Sequence, residues 1–169
     1  LDRLLYESTI SNEILKLTSL AHDPHLLARE LLNFLSIICR FSAAGLLLRK
    51  SAEKCLITLQ LQEKAPEDFI EFAQKEILHL NHLDTDQHLN CRFVLIDQSN
   101  ETGGLPLGGR SKVIKSLPIY DGNELLAAIV LFESGKRGLT DNMRHALDVI
   151  ADRFLIVARY LKKIKEIEN

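Results

Sequence analysis

The chain has 169 residues, 46% of them hydrophobic and 26% charged, and a formal net charge of −2. That size and balance describe one globular domain, able to bury roughly 70% of its unfolded surface without a staple. The near-neutral charge argues against a nucleic-acid partner, which needs a strongly basic face. The apolar runs all stop short of bilayer-spanning length, which argues against membrane contact by this segment.

In chain order, residues 1–22 read as a helix, with Ile10, Ile14, Leu17 and Ala21 spaced by four, three and four. Asp23-Pro24 breaks it and starts a second helix, since Asp caps well and proline suits the first turn. Leu27, Leu31, Phe34, Ile38 and Phe41 form one face of that helix, widened by further leucines into a core-facing surface. After Gly45, Leu46-Leu47-Leu48 and Cys55-Leu56-Ile57-Thr58-Leu59 flank the charged tip RKSAEK as a hairpin. A third helix follows Ala65-Pro66-Glu67-Asp68 and carries Phe69, Phe72, Ala73, Ile77 and Leu80 at helical spacing.

The segment RFVLID is a strand, and the glycine-rich loop QSNETGGLPLGGRSK leads to another over 113–120. Asp121-Gly122-Asn123 signals a hairpin turn into a last strand over 124–133. The final helix begins near Thr140-Asp141. Its Met143, Leu147, Ile150, Phe154, Val157, Leu161 and Ile164 repeat strictly at four and three, the period of a coiled-coil seam. That run continues into KKIKEIEN, so the helix is expected to leave the domain as a connector. The chain opens with neither methionine nor signal peptide and is expected to be an excerpt of a longer protein.

The strands carry a further expectation. Residues 125–132 are all apolar, and RFVLID and LLL do not strictly alternate, whereas a sheet with one wet face should. Both faces must therefore be covered. The second and last helices would cover one, the third helix and the long loop the other. A sheet roofed by a short helix and a loop commonly encloses a small-molecule pocket.

The last third carries a resemblance. Leu117-Pro118-Ile119, Asp121-Gly122, Ala127-Ala128-Ile129 and Leu139-Thr140 are similar to the carboxy-terminal signature of the GAF family of sensory domains. DPHLLARELLNFLSIICRFSAAGLLL resembles that family's opening helix and first strand, and the resemblance spans about residues 10–162. It implies an α+β fold: a central antiparallel sheet of five to six strands, order about 2-1-5-4-3, with helices on one face and a lid helix or loop on the other. It also implies a dimerisation helix over 1–22, a sensory domain over 23–160 and the start of a signalling helix over 161–169.

The function implied is non-catalytic regulation. A homodimer joined by its terminal helices would bind an unidentified small molecule and act on a covalently linked output domain (a kinase, a cyclic-dinucleotide enzyme or a transcriptional activator). The enzymatic and cofactor-binding subtypes find no residue match. The Asn-Lys-Phe-Asp-Glu set of cyclic-nucleotide binders is absent, as is the Cys-Ser-His step of bilin binders. The loop QSNETGGLPLGGRSK lacks the cysteines of the free methionine sulfoxide reductases, and no Ser-His-Asp set or carboxylate pair is evident. A small redox enzyme or metal or haem sensor on the same fold, and a dimerisation spacer whose cavity is filled by Phe69, Phe72 and Phe93, remain the alternatives.

Candidate ligand-facing residues are Phe72, His79, Phe93, Asp97, Arg110 and Ser116. His79 lies seven residues after Phe72, on the same side of the third helix. His79, His82, His88 and Cys91 have the spacing H-x2-H-x5-H-x2-C, which reads either as a tetrahedral metal set or as a polar helix end followed by a surface loop. Gly103-Gly104 and Gly108-Gly109-Arg110 could cradle an anion or gate a cavity, or form a plain surface loop. Asp97 is either a ligand carboxylate or a turn cap. The three cysteines, Cys39, Cys55 and Cys91, are an odd count without paired spacing, and fit a reducing cytoplasm better than a disulfide framework.

Overall fold

The computed structural model of the chain describes residues 2–99, 111–135 and 138–168. Helix α1 (Asp2–Leu15) runs into a 3-10 turn (Lys16–Leu20), and α2 (Pro24–Ile38) follows. Strands β1 (Ala43–Arg49) and β2 (Lys54–Leu61) form a hairpin. Helix α3 (Glu67–Leu80), strands β3 (Asn90–Asp97), β4 (Lys112–Asp121) and β5 (Glu124–Glu133), and helix α4 (Asp141–Glu168) complete the order. No helix among the described residues is long and apolar enough to cross a membrane.

The local signals act as their chemistry dictates. Asp23 Oδ1 accepts the Leu26 N–H at 3.2 Å with Pro24 in the first turn of α2. Gly122 turns the β4–β5 hairpin at φ +62°, where a side chain would be strained.

The sheet order is β3-β2-β1-β5-β4. The α+β architecture stands, but the strand arrangement differs from the expected one. β3 lies beside β2 and parallel to it, so the sheet is mixed and not wholly antiparallel. The cause is the connection: α3 carries the chain back across the sheet after β2, and such a crossover lets the next strand pair in parallel.

Both faces of the central strands are covered. β5 is buried from Leu125 to Glu133, and β1 from Ala43 to Leu48. One face packs against α2 and α4, with α1 laid on α4, and the other against α3. Each fully buried leucine or phenylalanine in these layers contributes about 1.5–3 kcal/mol of transfer free energy. The four-three repeat of α4 is used here. Leu147, Ile150, Phe154, Val157 and Leu161 are buried in the same cluster as Ile10, Ile14 and Leu17 of the amino-terminal segment. The stripe expected to pair with a second chain is therefore covered within this chain, by the amino-terminal segment and the sheet.

Gly45 fixes how closely α3 approaches. A β-carbon there would lie 2.4 Å from Ile77 Cδ1, so the helix rests where β1 has no side chain. Gly45→Ala is expected to cost about 1–3 kcal/mol through overpacking. Ile77→Val, which removes the clashing methyl, costs about 0.5–1.5 kcal/mol alone. In the double variant the two costs should fall short of their sum by at least about 0.5 kcal/mol, measured by urea unfolding.

Candidate functional site

The α3 side of the sheet is built on three rings. Phe69 meets Phe132 edge-on at 5.7 Å, and Phe72 lies 6.3 Å from Phe69 and 6.4 Å from Phe132. Phe69, Ala73 and Ile77 form the inward stripe of α3 and fill the space above β1 and β2. Phe72 stands on the flank of that stripe, 40% exposed, toward β5. Ser116 is half-buried on β4 opposite Val130, a member of the same layer. Phe72, Phe132, Val130 and Ser116 thus define one margin of the covered face.

The other expected site residues lie elsewhere. Phe93 packs against the α3 layer from β3, opposite Ile57, on the far edge of the sheet from Ser116. Asp97 Oδ1 accepts from the Ser99 backbone N–H at 2.9 Å and from the Ser99 hydroxyl, which makes it a turn cap. These two bonds hold its carboxyl below the usual carboxylate range. Arg110 and the paired glycines lie outside the described residues.

His79 is not in the roof of a pocket. Its side chain is 68% exposed and its Nδ1 meets Asp84 Oδ2 at 2.9 Å. The stretch that resembled a metal set ends a helix. His82 N–H donates to the His79 carbonyl and Leu83 N–H to the Leu78 carbonyl, the paired bonds of a Schellman cap. His82 occupies the left-handed position at φ +58°, where glycine is the usual residue. Among the described residues no group of three or more metal-ligating side chains converges.

The cysteines also differ from expectation. Cys55 and Cys91 are register partners on β2 and β3, with Cα atoms 4.6 Å apart, and are joined as a disulfide. Cys39 is the free thiol, and burial pushes its pKa up to about 11, so it is not a nucleophile.

A second cleft, absent from the sequence reading, opens at one end of the sheet with a volume of about 570 Å³. Its walls are the β1–β2 tip (Arg49 to Ala52), the cap of α3 (Asn81 to Leu83), the β4–β5 hairpin and the last turns of α4. Arg49, Lys50, Lys162 and Lys165 line it against two carboxylates, Glu124 and Glu166. Lys162 is engaged with Glu124 at 2.5 Å, and Arg49 donates to the tip carbonyls of Ser51 and Ala52. Lys50 Nζ has no hydrogen bond or ion pair among the described residues. Burial, then the charges of Lys165, Arg92 and Lys54, hold its pKa below that of an ordinary lysine. Asn81 is buried in the wall. Its amide donates to the Ile77 carbonyl at 2.7 Å while its Oδ1 has no partner among the described residues. A buried acceptor left so costs about 1–3 kcal/mol. The tips RKSAEK and KKIKE held the charge signal, but only the topology brings them together.

Comparison of the chain with protein-family models, with curated proteins and with solved structures finds no match.

The His79–Asp84 pair gives a pH signature. The hydrogen bond that His79 donates to Asp84, then the charge of Asp84, raises the His79 pKa, and the same contact lowers that of Asp84. The pair's contribution to folding is therefore present below the ordinary histidine value and lost as pH rises through the raised one. It is also lost at the acid end, as pH falls through the depressed Asp84 value. Histidine NMR should place the His79 midpoint above 6.5. Asp84→Asn should bring it down, and an unchanged midpoint would show that the pair does not form in solution.

Proposed function

We propose that the chain is a non-catalytic regulatory domain of GAF-like design, which holds a small molecule on the α3 side of the sheet and relays the response through its terminal helices. The observation that supports it most is how α4 is tied to the sheet. Its four-three stripe is buried along β4 and β5, and its last turns are clipped to the β4–β5 hairpin. The clips are Arg159 to Asp121 at 3.1 Å and Lys162 to Glu124. Exposed pairs like these contribute little to stability and serve to set position. The same two strands carry Ser116, Val130 and Phe132 beside Phe72, so a ligand that shifts them acts directly on α4. A kinase, a cyclic-dinucleotide enzyme or a transcriptional activator joined to the domain would receive that shift.

Homodimerisation belongs to this reading but passes to a different surface. Leu4, Leu5 and Tyr6 of α1 and Ile156, Tyr160 and Ile167 of α4 are exposed large apolar side chains of the terminal helices. In sedimentation at micromolar concentration the wild type should be a dimer and Ile156→Glu a monomer. A wild-type monomer overturns dimerisation.

The ring trio favours a second reading, a spacer whose interior is self-filled, because Phe69 and Phe132 already occupy the interface. Native mass spectrometry separates the two. A bound small-molecule mass that is lost in Phe72→Ala supports the sensor, and a bare chain supports the spacer.

A cytoplasmic setting agrees with the composition, and the bridge provides its test. Cytoplasmic reductants would keep Cys55 and Cys91 as thiols. Protein alkylated at lysis in denaturant should then carry label on all three cysteines. Label on Cys39 alone would place the chain in an oxidising compartment.

A further inference from the structure

We propose that the Cys55–Cys91 bridge is a reversible redox switch, set by small thiols and disulfides. Closed, it fastens β3 and α3 to the sheet; open, it leaves them loosely held. The switch stands whether or not the α3 face takes a small molecule.

The bridge sits where a covalent tie has leverage. Its cysteines face each other across the parallel ladder near the start of β3, 36 residues apart in sequence, and the loop they close carries all of α3. Both belong to the α3 layer: Cys55 lies in the buried cluster of Phe69, Ala73 and Ile77, and Cys91 packs against it. β3 is at the edge of the sheet, beside β2, and is the strand without a fully buried residue. Such an edge strand lies at the low end of local stability, so a tie at its start governs how readily it opens.

The fold does not need that tie. A chain of this size folds without a staple. The apolar layers run unbroken over β1, β2 and β5, away from the edge that the bridge secures. Where thiols are kept reduced, the disulfides that do form are usually transient and redox-sensing. That last inference rests on the cytoplasmic setting proposed above; the placement does not.

The chemistry has one entry and no side path. Cys91 is half-buried at the open edge, whereas Cys55 is 2% exposed, so an incoming thiolate meets Cys91 Sγ first. The S–S bond breaks, its electron pair leaves on Cys55 Sγ, which takes up a proton, and Cys91 becomes a mixed disulfide with the reductant. A second thiol attacks the reductant's sulfur and releases the Cys91 thiol. With glutathione, two thiols are oxidised to one glutathione disulfide while the bridge is reduced to two cysteines, and closure reverses each step. Cys39 does not intervene. It lies in the opposite layer, and burial pushes its pKa up to about 11, so it neither attacks the bridge nor resolves the mixed disulfide.

The purified chain, equilibrated in glutathione buffers from fully oxidised to fully reduced, provides the test. Thiols are counted by acid quench and alkylation in denaturant, and hydrogen exchange is followed in parallel. The bridge should open in reduced glutathione and close again when the oxidised form is added. Opening should speed exchange about tenfold or more over β3 and α3, and leave β1 and β5 within about twofold. Cys91→Ser should show the open pattern in every buffer, and Cys39→Ala should switch like the wild type. A bridge that stays closed in reduced glutathione is a permanent staple, and one that never closes in the oxidised form is no switch; either overturns the proposal. Exchange that ignores the opening overturns it too. So does a reduced chain that exposes Cys39 to alkylation without denaturant, because the bridge then serves the fold. All these outcomes are read on purified protein, so they are distinct from the compartment test above.

Discussion

The structure depends on two central strands that have no wet face. β1 and β5 are apolar on both sides, and either side left in water would expose a continuous row of leucine, isoleucine and alanine. That requirement fixes the layers. The long helices take one face because together they are wide enough to cover it, and α3 takes the other over β1 and β2. The close seat of α3 follows in turn: Gly45 leaves the room that Ile77 occupies, and the Phe69–Phe132 contact closes the margin. β3 and β4, at the edges, are only half-buried, as strands with one uncovered side should be.

Much of this was legible from side-chain patterns alone. The loss of strict alternation in residues 125–132 implied two covered faces. Asp23-Pro24 and Asp121-Gly122 placed a cap and a turn by chemistry that acts within a few residues. The misses share a physical origin in contacts between distant segments. Placing β3 on the wrong edge also hid the disulfide, because Cys55 and Cys91 are neighbours only in the parallel register. Two apparently separate errors were one.

Period gives spacing but not direction. The four-three repeat of α4 has the same form whether it meets a second chain or its own, and the burial of Phe154 and Val157 decides for its own, the amino-terminal segment and the sheet together. Phe72 and His79 do share a side of α3, as their seven-residue spacing requires. That side is the flank, because Phe69, Ala73 and Ile77 hold the inward position. His79 consequently finds Asp84 in solvent and not a ligand beneath the roof.

The end cleft shows the same limit for charge. RKSAEK and KKIKE each read as ordinary solvated tips, and separately each would be. The antiparallel pairing of β1 with β5 brings the exit of β1 to the entry of β5, and α4 ends above the same point. Lysines more than a hundred residues apart in sequence then share one recess. Folding does not require this, since the layers that hold the sheet are apolar and complete without it. Screening by salt lowers the cost of such a cluster but does not remove it for a partly buried lysine. A domain that tolerates that repulsion beside an unpaired buried acceptor departs in one place from what stability alone selects. Departures of this kind concentrate at functional sites.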